Sequence, residues 1–136
     1  MNANQFIRPA ASALLLIATA GFVHADEAKK LPPASMKAGV TYETDIRPMI
    51  ENTCFKCHGE EKQKAGLRVD SAEAVLKGAK NTKVVIVGDS ANSELVKSVA
   101  HTGDDEDHWM PPEGQGDRLT PEQVGLIRAW IDQGAK

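Results

Sequence analysis

An all-α fold is predicted by three features of this sequence. Apolar residues recur at helical spacing from Tyr42, the last stretch of the chain has a full set of helix start and stop signals, and only short runs read as extended. The first element stands before any of these. Arg8 precedes an apolar run from Ala10 to Val23, and Val23-His24-Ala25 offers small residues for cleavage before Asp26. Residues 1–25 therefore read as a secretory signal peptide, cleaved after Ala25. The run is short and poorly flanked for a membrane span, and no cysteine follows it to take a lipid. An exported, periplasmic mature protein with no stable membrane span is expected.

Residues 26–40 mix charge with Pro32-Pro33 and show no periodicity, so they are expected to form a flexible leader before a single domain over 41–136. Within that domain Tyr42, Ile46, Met49 and Ile50 fall at offsets of four, seven and eight, which is one face of a helix. Its start depends on Pro48: with Thr44 as N-cap the proline falls in the first turn, and with Thr41 as N-cap the helix should kink there. Gly59 to Gly66 is charged and reads as an exposed loop, and Leu67-Arg68-Val69 alternates briefly. Asp70 or Ser71 can cap a short helix through Leu76, with Glu73 completing a box for Asp70 and Gly78 as the stop. Val84 to Val87 is a β-branched run, either a strand or an extended buried connection.

Ser90 or Asn92 can cap a further helix in which Leu95, Val96 and Val99 share a face. His101 to Gly116 is an acidic loop rich in glycine and proline, with Trp109-Met110-Pro111-Pro112 inside it. The final helix has the clearest signals: Thr120 as cap, Pro121 in the first turn, Gln123 completing the box, and Gly134 at the end. Val124, Ile127, Trp130 and Ile131 form its predicted buried stripe.

Charge and cysteine count narrow the chemistry. Removing Arg8 from 16 basic residues leaves 15 against 19 acidic ones, a formal charge of −4 on the mature chain, which argues against a nucleic-acid partner. The chain has 2 cysteines and both lie in one motif, Cys54-Phe55-Lys56-Cys57-His58-Gly59, so no other disulfide is available to staple this small domain. The motif reads as a haem c attachment site: Cys54 and Cys57 can each form a thioether to a haem vinyl group, and His58 is then the proximal iron ligand. A buried porphyrin would supply much of the apolar core that a short chain lacks. Two other readings exist. A zinc site needs two further ligands, and His101 and His108 have six residues between them where three to five are usual. A thioredoxin-like pair opens a helix after a strand, whereas this motif follows a helical stretch.

A six-coordinate electron-transfer haem needs a second axial ligand, and methionine raises the potential. Met36 lies in the leader and Met49 on the core face of the first helix. Met110 follows His58 by 52 residues in a polar loop, with two prolines after it to restrict the backbone, and it is the candidate sixth ligand. A methionine covering an apolar patch is the alternative for Met110, and His101 and His108 are rival ligands.

The sequence resembles the small cytochrome c domains of the planctomycete type. The resemblance rests on Tyr42 to Ile50 leading into Cys54 to Gly59, then on Lys64 to Ser71, Gly88-Asp89-Ser90, Ser93 to Val96, Met110-Pro111-Pro112, and Leu119-Thr120 through Trp130 to Ala135. It implies a cytochrome c-like helical domain wrapped around one covalent haem c, with His58 and Met110 as axial ligands. In a run like the family's Leu-Arg-x-Asp, Arg68 is a candidate contact for a haem propionate, with a solvated arginine as the alternative. The expected function is one-electron transfer to redox partners with a basic docking face. The alternative is a catalytic or gas-binding haem with an open or labile sixth position, including a subunit of a redox enzyme complex.

Overall fold

The computed structural model describes residues 30–80 and 82–136. The expected signal peptide and the start of the leader lie outside the described residues. The domain is helical: α1 is Arg47–His58, α2 Ala72–Lys77, α3 Glu94–Ala100 and α4 Pro121–Asp132, and no strand is formed among the described residues.

Thr41 is the N-cap, and its hydroxyl accepts a bond from the Thr44 N–H at 3.3 Å. The chain then forms one π-helical turn, Tyr42–Ile46, before tightening into α1 with Pro48 near its start. The irregularity expected for a Thr41 cap therefore takes the form of a wide turn rather than a break, because proline has no N–H to continue the tighter ladder. Tyr42, Ile46 and Ile50 are buried and Met49 packs beside them. At α2 the cap is Ser71, whose hydroxyl accepts from the Ala74 N–H at 3.1 Å, while the Asp70 carboxylate turns away to bond Arg68. Gly78 ends α2 at a φ of 84°, and a Cβ there would stand 2.3 Å from the Thr82 carbonyl oxygen. Backbone conformation and space both require glycine.

Val84 to Val87 is an extended connection, with Val85 buried and Ile86 and Val87 exposed. Leu95 N–H bonds the Val84 carbonyl at 2.9 Å, so the segment is tied to α3 rather than to a sheet. Neither expected cap of α3 is used. Ser93 precedes the helix without capping it, because its hydroxyl donates to the Asp89 carbonyl at 2.8 Å, and Ser90 is bonded twice to the Asp132 carboxylate. The expected α4 signals are all formed: Thr120 and Gln123 make a capping box, and Val124, Ile127, Trp130 and Ile131 are buried.

The expectation of a flexible leader needs correction over residues 31–40. Ser35 N–H bonds the Gly125 carbonyl at 2.9 Å, Gln133 Nε2 donates to the Lys37 carbonyl at 2.7 Å, Arg128 donates to the Pro32 carbonyl, and Val40 is buried. The segment lacks periodicity because α4, rather than its own hydrogen bonds, sets its path. At Gly125 the segment comes so close that a Cβ would lie 2.7 Å from the Pro33 carbonyl oxygen. Lys37 also pairs with Asp45, and this ammonium, the Thr41 N–H and the Thr44 hydroxyl hold the Asp45 carboxyl down to about 2.

Two outcomes follow from this attachment. Gly125→Ala should destabilise the domain by about 1–3 kcal/mol through overpacking, read by thermal unfolding, and should speed proteolysis at Lys37. The depressed pKa of Asp45 means that its contribution is present above its ordinary value of 3.8 and is lost as pH falls toward about 2. Amides at 35–45 should therefore exchange faster over that interval, and Asp45→Asn should remove the dependence.

Candidate functional site

Cys54, Cys57 and His58 occupy the last turn of α1. Cys54 and His58 are four residues apart, so the helix places both on one face. Two cavities open onto this turn, of about 180 Å³ and about 270 Å³, and both are bordered by Cys54, His58, Ala65, Val99 and Met110. They are two lobes of a single apolar cleft. The smaller continues along Cys57, Pro111, Pro112 and Leu119, and the larger runs inward to Ile46, Val69, Ile127 and Trp130. Such a cleft suits a large, flat, apolar ligand with a few polar attachments.

The His58 ring is oriented from behind. Its Nδ1 lies 3.3 Å from the Leu67 carbonyl oxygen. A carbonyl only accepts, so Nδ1 carries the proton and Nε2 is left with its lone pair free for a metal. The backbone is also fixed here: Val69 N–H bonds the His58 carbonyl at 2.7 Å, and Gly59 N–H bonds that of Lys62 at 2.9 Å. Gly59 itself is required by space, since a Cβ would stand 2.5 Å from the Phe55 carbonyl oxygen.

Both cysteines are free thiols. Burial, with the Cys57 thiol beside it, pushes Cys54 up to about 11. That is opposite to the lowered pKa of a thioredoxin-like nucleophile, and it leaves Cys54 as a neutral thiol on an apolar wall. Among the described residues no group of three or more His, Cys, Asp or Glu side chains converges, so the zinc reading lacks its further ligands.

Across the cleft, Met110 is half-buried and its backbone is held at both polar atoms. The N–H donates to the Ser98 carbonyl at 3.0 Å, and the carbonyl oxygen lies 3.0 Å from His101 Nε2. Trp109, before it, bonds the Gly103 carbonyl through Nε1 at 3.1 Å. The rival histidines are thus separated. His101 faces a backbone carbonyl and borders neither lobe, whereas His108 is exposed at the rim of the larger lobe, 3.8 Å from Asp105 and 3.9 Å from Glu94. Arg68 is not brought to the cleft. Its guanidinium holds Asp70 by two bonds of 3.0 and 2.7 Å and borders a separate polar groove with Lys77 and Lys80.

Sequence reasoning missed Leu67, Ser98, Val99 and Ala65. Three of them hold or wall the site through backbone or small apolar groups, which have no signature in a sequence, and the helical spacing of Val99 signals only a core position.

Residues 54–114 match the family model described as Planctomycete cytochrome C, the family whose resemblance the motifs show. The match covers a little under half of the chain and includes the Cys54-Cys57-His58 turn, α2, α3 and Met110, so this stretch is similar to a c-type cytochrome domain. Comparison with curated proteins and with solved structures found no match. No helix among the described residues is long and apolar enough to cross a membrane.

Trp109→Phe should keep the ring beside His101 and lose the bond to Gly103. The expected cost is about 0.5–1.5 kcal/mol by denaturant titration, with faster amide exchange over 103–110.

Proposed function

We propose that this protein is an exported one-electron carrier with a single haem c, tethered by Cys54 and Cys57 and ligated by His58 and Met110. The observation that carries the reading is the apolar cleft itself, which has the two thiols and an oriented imidazole on one wall and a methionine with a fixed backbone on another. When bound, the haem supplies a reversible one-electron change at iron, and methionine ligation raises its potential.

The chain's own residues do the rest. Cys54 and Cys57 retain the group through two thioether bonds, and the Leu67 carbonyl keeps His58 Nε2 available as a donor atom. Val69, Val75 and Ile127, all buried and lining the larger lobe, keep water from it and lower the local dielectric. Arg68 is given no role, since its charge is already matched by Asp70. The exposed run Asp104 to Asp107, in the same loop as Met110, supports a partner with a basic docking face and an association that weakens with salt. Periplasmic location rests on the N-terminal signal read from residues 1–25.

Protein secreted by a host that matures c-type cytochromes should retain haem through denaturing electrophoresis. The double variant Cys54→Ala, Cys57→Ala should lose it. The ferric protein should show an iron–sulfur charge-transfer band in the red, and Met110→Ala should abolish the band, lower the potential and admit external ligands such as imidazole. A high-spin ferric spectrum of the unsubstituted protein would overturn the carrier reading in favour of a catalytic or gas-binding haem.

A further inference from the structure

We propose that His101 is a positioning residue: its Nε2–H holds the Met110 carbonyl and so keeps the methionine sulfur in reach of the iron. This role rests on Met110 being the sixth ligand.

The Met110 carbonyl can only accept, so at 3.0 Å the His101 ring donates from Nε2. Nδ1 is buried and has no hydrogen-bond partner among the described residues. Among the described residues the ring nitrogens therefore have one hydrogen-bond partner, the Met110 carbonyl.

His101 is also held in place. It is the C-cap of α3 in the left-handed region, at φ 55° and ψ 42°, a conformation uncommon for residues other than glycine but one in which histidine is among the better tolerated. Its N–H bonds the Ser98 carbonyl at 3.2 Å, and the Thr102 N–H bonds that of Lys97 at 3.1 Å. The backbone conformation at the cap sets the direction in which the ring leaves the helix. One side of the ring lies against Trp109, with centroids 5.1 Å apart and planes at 32°. Trp109 is in turn tied to the Gly103 carbonyl.

The same Ser98 carbonyl that caps His101 also accepts from the Met110 N–H. The end of α3 thus grips both polar atoms of the Met110 backbone, the N–H through Ser98 and the carbonyl through His101. A thioether is a weak ligand for iron, so its occupancy is sensitive to small changes in the freedom of the residue that presents it. The clamp lowers that freedom before the sulfur binds.

The test uses the matured holoprotein. His101→Phe keeps an aromatic ring against Trp109 and removes the donor, and His101→Gln restores an N–H at about the reach of Nε2. For His101→Phe we expect affinity of the ferric protein for imidazole to rise about fivefold, the worth of one hydrogen bond, with a weaker charge-transfer band and a lower potential. His101→Gln should return all three toward the unsubstituted values, which a purely structural role would not require. Should His101→Phe fail to mature, His101→Asn serves in its place, because asparagine tolerates the left-handed conformation and its amide is too short to reach the carbonyl. Unchanged imidazole affinity and band in the variant lacking the donor overturn the clamp while leaving Met110 as ligand. Absence of the band in the unsubstituted protein overturns the ligand assignment and the clamp together.

Discussion

The packing of Tyr42 against Trp130 is the contact on which the rest of this domain depends. The rings lie 5.6 Å apart at 57°, both are buried, and both face the larger lobe of the cleft. One belongs to the turn that starts α1 and the other to α4, so this pair joins the beginning of the domain to its end. The join is reinforced at a single acceptor, since Tyr42 N–H and Trp130 Nε1 both donate to the Lys136 carbonyl, at 3.0 and 2.8 Å. The Tyr42 hydroxyl reaches in the other direction to the Val69 carbonyl. Burial pushes that phenol far above its usual range, so it remains a neutral donor. With these two rings in place, α1 is held at the angle that brings its last turn to the cleft.

Around that frame the site is built almost wholly from backbone acceptors. Leu67 orients His58, Ser98 holds Met110, and Gly103 holds Trp109. Each acceptor sits in a loop or at a helix end, where carbonyls lack partners within their own element. Loop carbonyls at Leu67 and Gly103 and the Ser98 carbonyl at the end of α3 thus fix residues in and beside the cleft. In the proposed carrier this arrangement sets the ligands before the cofactor is bound, and so limits the rearrangement between oxidation states.

The separation of roles among charged residues has a similar origin. Arg68 and Asp70 neutralise one another two residues apart, and this pairing removes Arg68 from the cleft and leaves the capping of α2 to Ser71. Lys37 and Asp45 serve the attachment of residues 31–40. Among the described residues the acidic run after Gly103 is approached by a cationic side chain only at Asp105, 3.8 Å from His108. It is exposed to solvent.

What could be read from the sequence was whatever depends on neighbours in the chain. The spacing of Cys54, Cys57 and His58 is a property of one helical turn, the capping box of Thr120 and Gln123 is closed within four residues, and the stripe from Val124 to Ile131 follows from helical periodicity. The cap at Ser71 rather than Asp70, the attachment of residues 31–40 to α4, and the face to which Arg68 turns were settled by contacts with other parts of the chain. The same is true of the cleft and of the grip on Met110, whose partners Ser98 and His101 come from another element. Side chains compete for acceptors, and which one wins is decided by distance in space. Local pattern therefore sufficed to place the attachment turn and the helices, whereas only the packed domain determined what faces that turn across the cleft.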